Sequence, residues 1–331
     1  MRRTVPQVIS LVAIVTGVAL FVVTMIGIDR TETLNRVRSL GVLLPIVLLP
    51  SLGWHMIRAA GWYICFPPDQ RPSYWRVFRV RLSADGVGYF TIRGVASEPL
   101  RVVLLIGHVS PVVSAAASVL ERTAMGIMSV LGVGIFAAFA VTSNLLPPAW
   151  EDVFRGIALT AAVVLLVVFL FFLRTGRYFG PVVESIHRRT GWRWTGGRTV
   201  RAISAVEDLF LKLARTDMRR IGTLVVFSVA CYWLMAFEVV LVFWAIGEPI
   251  SLWLGTIVET FTRSASVPGG AIPGNLGALE ASNVAVVKAL GLAGGGALAL
   301  FRRFRSLLFA TLGLALYPRD AVTAPKQEPA R

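Results

Sequence analysis

Charged residues in apolar surroundings are where this chain could do chemistry. Glu121 and Arg122 stand side by side in SAAASVLERTAMGIMSVLGVGIF. Glu98 and Arg101 sit three residues apart in SEPLRVVLL, where they can pair on one helix face. Glu280 follows a run of glycines and prolines in AIPGNLGALEASN, and Arg302, Arg303 and Arg305 interrupt ALALFRRFRSLLF. A guanidinium matches a phosphate or carboxylate through several parallel hydrogen bonds, so arginines placed this way suit an anionic ligand. The same residues are equally suited to ion pairs that lock helices together. Nucleophilic or metal chemistry has no comparable support. His55, His108 and His187 form no cluster, Cys65 and Cys231 have no metal spacing, and no nucleophile elbow or phosphate-binding loop is present. The sequence therefore offers no catalytic residue, no metal site and no cofactor site.

The elements that must carry these charges are membrane spans. Of 331 residues, 56% are hydrophobic, and several runs reach the ~20 residues needed to cross a bilayer as helix. A net charge of +15 would suggest nucleic acid in a soluble protein. Here the arginines concentrate in loops, which fits membrane topology instead. Six full spans are predicted: Val8–Ile28, Leu40–Ile64, Pro111–Val141, Phe154–Leu173, Ile221–Ile246 and Leu298–Tyr317. Asp29–Arg38 reads as a short polar turn, and Arg58 can snorkel from the second span. The basic stretch with Arg71, Arg76, Arg79 and Arg81 and the loop Arg174–Arg220 are placed inside, as are both termini. Asn144 and Gly247 are placed outside. Within the second basic loop, Ile203, Val206, Phe210 and Leu213 mark an amphipathic helix suited to lie on lipid headgroups. Glu238, alone in a span, is either a proton carrier or a buried hydrogen-bonded carboxyl.

Two regions do not read as ordinary crossings: Tyr74–Ile92 carries too many charges, and Glu98–Val109, Ile250–Arg263 and Leu276–Leu290 are too short. Tyr74–Ile92 and Glu98–Val109 flank a break at Gly94–Ser97, and Ile250–Arg263 and Leu276–Leu290 flank a break holding Pro268, Gly269, Gly270, Pro273, Gly274 and Gly277. Ser97 and Asn275 are candidate caps for the helices that follow. Ser110-Pro111 is a further helix start. Broken backbone at membrane depth must be buried in protein or line a cavity, which makes such breaks candidate binding sites. Each half then reads as span, span, half-helix, Gly/Pro break, half-helix, span. Arg122 follows Glu98 by 24 residues and Arg303 follows Glu280 by 23. An odd number of spans per half reverses the second half's orientation. The predicted fold is an all-α polytopic membrane protein with an inverted-topology repeat, about six full spans and two re-entrant helical hairpins. Residues 1–317 form one membrane domain, with repeats at 8–142 and 154–317, and 318–331 form a polar tail.

The stretches IRGVASEPLRVVLL…SAAASVLERTAMGI and AIPGNLGALEASNVAVVKALGL…ALALFRRFRSLLF resemble the paired motifs of the lysylphosphatidylglycerol synthase transmembrane, or flippase-like, family. Glu98, Arg101, Glu121 and Arg122 match the first motif, with Arg93 replacing its proline and Ser97 its glycine. Pro273, Gly274, Gly277 and Glu280 match the second, with Asn275 replacing a glycine. The resemblance runs roughly from Leu40 to Tyr317. It implies a multi-pass protein of the bacterial inner membrane, N-terminus cytoplasmic, whose partner is a membrane lipid with an anionic or lipid-linked headgroup. The family's best-known members continue into a soluble aminoacyltransferase domain. Lysyl transfer is not implied here, and no enzymatic role is expected.

On this reading Arg122 holds a lipid phosphate tuned by Glu121, and Glu98, Arg101, Glu280, Arg302, Arg303 and Arg305 complete the headgroup site between the hairpin tips. Glu280 is expected near the bottom of a water-filled cavity. Structural ion pairing is the competing role for each of them. Two further functions remain open: a membrane transferase with Glu98 or Glu280 as base, and a non-transporting partner of lipid-synthesis or lipid-export enzymes. Homo-oligomerisation is left open too.

Overall fold

The computed structural model describes residues 18–24, 26, 30–91, 96–173, 179–190 and 197–318. Most of the span predicted at Val8–Ile28, the break residue Gly94 and the polar tail lie outside them. The described residues are helical, with no strand among them.

The first half opens with α1, Arg30–Cys65, a 36-residue helix. The polar turn predicted at Asp29–Arg38 is therefore corrected, because Thr33 and Leu40 are buried on the helix and Arg36 reaches Glu248 at 2.7 Å. Pro45 and Pro50 also lie inside α1. A proline removes one backbone bond per site, and a long packed helix absorbs that loss. Then come α2 (Tyr74–Tyr89) and α3 (Ser97–Val103), of 16 and 7 residues. They are about 24 and 10 Å long, short of a ~30 Å hydrocarbon core. Ser97 does not cap α3. It is the helix's first residue and packs on Gly88 of α2, where a Cβ would stand 2.9 Å from its own Cβ. The long helix α4 (Pro111–Thr142) begins as predicted, with Ser110 accepting from the Val113 N–H. Asn144, at φ 55°, turns the chain into α5 (Pro148–Leu173).

Two amphipathic helices follow, α6 (Phe179–Thr190) and α7 (Gly197–Thr216). The C-terminal part of the apolar stripe of α7 packs on protein. Leu213 is buried, and Leu209 and Phe210 pack with Trp62, Leu104 and Leu224 beside α4. Clustered apolar side chains on one face are satisfied equally by a bilayer or a helix, and here neighbouring helices supply the surface.

The second half repeats the order. A long helix, α8 (Met218–Ala245), leads to α9 (Leu252–Gly269) and α10 (Ala278–Ala289), then α11 (Gly295–Ala315). The break is shorter than the sequence suggests. Pro268 and Gly269 belong to the last turn of α9, because a proline there frees only one carbonyl near a helix end that is open anyway. The turn proper is Gly270–Gly277, with Pro273–Asn275 as a short 3₁₀ piece and positive φ at Gly274, Asn275 and Gly277. Gly277, not Asn275, is the N-cap of α10, and Glu280 accepts its N–H at 2.8 Å.

Four described helical stretches are long and apolar enough to cross a membrane: Leu40–Cys65, Pro111–Thr142, Pro148–Leu170 and Met218–Ala245. The predicted last span falls in α11, whose 21 residues include three arginines. Its polar face is answered by carboxylates of other helices rather than by lipid. The halves interlock. α1 packs along α8, α2 lies against α11, and α9 lies against α4. Gly86 of α2 allows the contact with α11, since a Cβ there would meet the Ala310 carbonyl at 2.6 Å. Ser83 donates to the Gly313 carbonyl at 2.8 Å on the same seam.

Candidate functional site

Two charge clusters fill the space between these helices. The first is centred on Glu121 of α4, which is fully buried. Arg58 of α1 reaches its Oε1 at 3.1 Å through Nε, and Arg81 of α2 at 3.3 Å through Nη1. Arg101 of α3 lies 3.9 Å from Oε2 and donates to Asp85 of α2 at 2.6 Å. Glu98 of α3 pairs with Arg101 at 3.4 Å and directly with Arg122. Glu121 and Arg122 are adjacent in sequence but serve different partners. Consecutive residues of a helix point about 100° apart, so Glu121 turns into the bundle while the Arg122 side chain stays 49% exposed.

The second cluster is spread along α11. Arg302 donates to Glu259 of α9 at 2.6 Å and to Asn283 of α10 at 3.0 Å. Arg303 donates to Glu280 at 2.5 Å, to the Tyr89 hydroxyl at 2.7 Å and to the Gly274 carbonyl at 2.8 Å. Arg305 pairs with Glu238 of α8, which also accepts from Ser51. Arg263 of α9 bridges Glu259 at 2.8 Å and Ser129 of α4 at 3.1 Å, with its guanidinium 4.6 Å from the Tyr232 ring centre. Glu280 is fully buried, its charge met by Arg303 and its other oxygen by the Gly277 N–H. It faces these partners, not an open cavity.

The i,i+3 pair Glu98–Arg101 expected from spacing is in place, and the residues of the two matched spacings also meet: Glu98 with Arg122 and Glu280 with Arg303. A further correspondence was not legible. In the first half α1 and α2 carry arginines, Arg58 and Arg81, to a glutamate of the last helix, Glu121. In the second half α8 and α9 carry glutamates, Glu238 and Glu259, to arginines of the last helix, Arg305 and Arg302. Corresponding helices make the same connections with the signs exchanged. Each cluster, among the described residues, holds four arginines and three carboxylates.

The two hairpins meet at Tyr89. Its ring lies where a Cβ on Gly274 would be 3.2 Å away, and Arg303 ties its hydroxyl to the Gly274 carbonyl. One residue earlier, Gly88 carries Ser97, the start of α3. The end of α2 is therefore common ground for both tips.

Sequence reasoning missed Arg58, Arg81, Asp85, Tyr89, Glu259 and Arg263. Arg58 does not snorkel, and Arg81 is not a loop charge; it is 2% exposed. The available signal was spacing: Arg81 with Asp85, and Glu259 with Arg263, are i,i+4 pairs in short helices. His55 is enclosed by Trp54 and Phe309, and Cys65 and Cys231 are free and buried.

Long apolar helices enclosing paired charges define a polytopic α-helical membrane protein. A model of the lysylphosphatidylglycerol synthase transmembrane region matches residues 8–314, and the chain belongs to that family. No curated protein and no solved structure compared with it matches.

Proposed function

We propose that this protein binds the anionic or lipid-linked headgroup of a membrane lipid between two re-entrant hairpins and moves it across the bacterial inner membrane without altering it chemically. The observation that carries this reading is the pair of charge clusters, each among the described residues with one guanidinium more than it has carboxylates, beside a contact of the two hairpins through Arg303, Tyr89 and Gly274. Excess positive charge at membrane depth costs ~2.5–3.5 kcal/mol per residue unless an anion or water meets it. The family's name makes a phospholipid of the phosphatidylglycerol kind the first ligand to try. The exchanged signs fit an inverted-topology repeat, in which the halves exchange roles as access alternates. Paired charges on the corresponding helices would give each half a matching seam on which to rock.

The test is reconstitution into vesicles with labelled phosphatidylglycerol in one leaflet and labelled phosphatidylcholine as control. The expected result is faster loss of leaflet asymmetry for the anionic lipid than in protein-free vesicles. Equal rates for both lipids, or no acceleration, would overturn the proposal. Lipids retained on purification, identified by mass spectrometry, would name the headgroup.

A further inference from the structure

The face of α4 that holds Arg122 continues through positions with little around them. Gly126 lies one turn further on, and a Cβ built there meets nothing within 4 Å. Ser129 lies seven residues from Arg122, two turns and about 10 Å along the same face. Onto Ser129 comes Arg263 of α9, donating through Nη1 at 3.1 Å. The Nε of Arg263 is buried and has no hydrogen-bond partner. Two guanidiniums, one from each half, therefore bracket an open stretch of helix at membrane depth. Val119, one turn before Arg122, and Val267, one turn after Arg263, are 42% and 77% exposed and offer aliphatic surface beside each guanidinium.

We infer that this stretch of α4, between Arg122 and Arg263 and over Gly126, is an entry site for the phosphate-bearing headgroup of an anionic phospholipid. The inference rests on the proposed lipid function and adds the residues through which the lipid arrives. Arg122 alone would neutralise a phosphate only in part, because Glu98 already pairs with it. Arg263 supplies the second cation: it shares Glu259 with Arg302, and its guanidinium is held over the Tyr232 ring. The missing side chain at Gly126 leaves room for the headgroup to lie against the helix. The valines meet acyl chains rather than water, which separates a lipid from a free anion.

Two substitutions test the site without dismantling the clusters. G126L fills an empty face and replaces a poor helix former with a good one. R263Q leaves Glu259 paired with Arg302. Binding of phosphatidylglycerol and phosphatidylcholine to the purified full chain is measured by native mass spectrometry and by titration. Wild type should prefer phosphatidylglycerol, and each variant should weaken that binding by about tenfold or more, with phosphatidylcholine binding unchanged in both and the melting temperature unchanged in G126L, whose substitution touches no ion pair. Millimolar inorganic phosphate should not compete. If both variants bind phosphatidylglycerol as wild type does, this site is wrong while the lipid function stands. If wild type shows no preference for the anionic lipid, the proposed function itself fails. Competition by inorganic phosphate as effective as by lipid would overturn the lipid assignment.

Discussion

Glu121 and Arg122 show how neighbouring charges divide structure from function. Among the described residues, Glu121 is the carboxylate that Arg58, Arg81 and Arg101 share. Removing one member of a buried ionic group costs about 3–5 kcal/mol because the others are left unanswered. Glu121→Gln should therefore lower the thermal unfolding midpoint in detergent markedly, and an unchanged midpoint would show that the cluster does not stabilise the fold. Arg122 is half exposed and its pairing with Glu98 is partly solvated. Such pairs contribute about 0–1 kcal/mol, so Arg122→Gln should melt near wild type while anionic lipid transport falls. Full transport by a stable Arg122→Gln protein would remove Arg122 from the headgroup site.

Short helices hold their positions through close backbone contact rather than through length. α2 rests on α11 where Gly86 meets the Ala310 carbonyl, and no side chain fits there without moving a helix. Gly86→Leu should destabilise by the 1–3 kcal/mol typical of overpacking or more, read from denaturation in detergent; a neutral result would mean that the two helices are free to separate. The tip of the second hairpin is constrained differently. Gly277 has φ 79° and ψ −46° at the N-cap of α10, a conformation that strains any L-residue. Gly277→Ala should cost about 1 kcal/mol or more even though the added methyl is small. Larger residues at Gly277 would confound folding with transport, which makes Gly126 the better position for blocking a lipid path.

Interlocking halves give the whole molecule its testable properties. With α2 on α11 and α9 on α4, neither half folds its hairpin against its own last helix alone. The Glu238–Arg305 pair joins α8 to α11. Glu238→Gln and Arg305→Gln should each destabilise, and the double variant by less than the two effects combined, with a coupling of about 0.5–3 kcal/mol. Strict additivity would show that the pair is not energetically coupled. Topology is testable in intact cells after replacing Cys65 and Cys231. Cysteines at Asn144 and Gly247 should label from outside, those at Arg71 and Arg201 only after permeabilisation. External labelling at Arg71 would exclude the proposed orientation and with it the opposed hairpins.

The apolar runs, the odd glutamates and arginines within them and the matched spacings of Glu98 to Arg122 and Glu280 to Arg303 were legible in the sequence. These depend on local composition and on helical periodicity, which a single chain carries openly. The family was legible for the same reason, in contiguous motifs around Glu98, Glu121, Pro273 and Glu280. Helix limits near Pro268 and Ser97 were not, because a proline in a last turn or a serine on a glycine is decided by the neighbour it packs on. The partners of Arg58, Arg81, Arg263 and Arg305 were hidden too. They lie on other helices, 63 residues away for Arg58 and Glu121 and 67 for Arg305 and Glu238. Nor could spacing show the exchange of signs between the halves. A charge in an apolar helix announces that it needs a counter-charge; only the packing of helices against one another decides which one it receives.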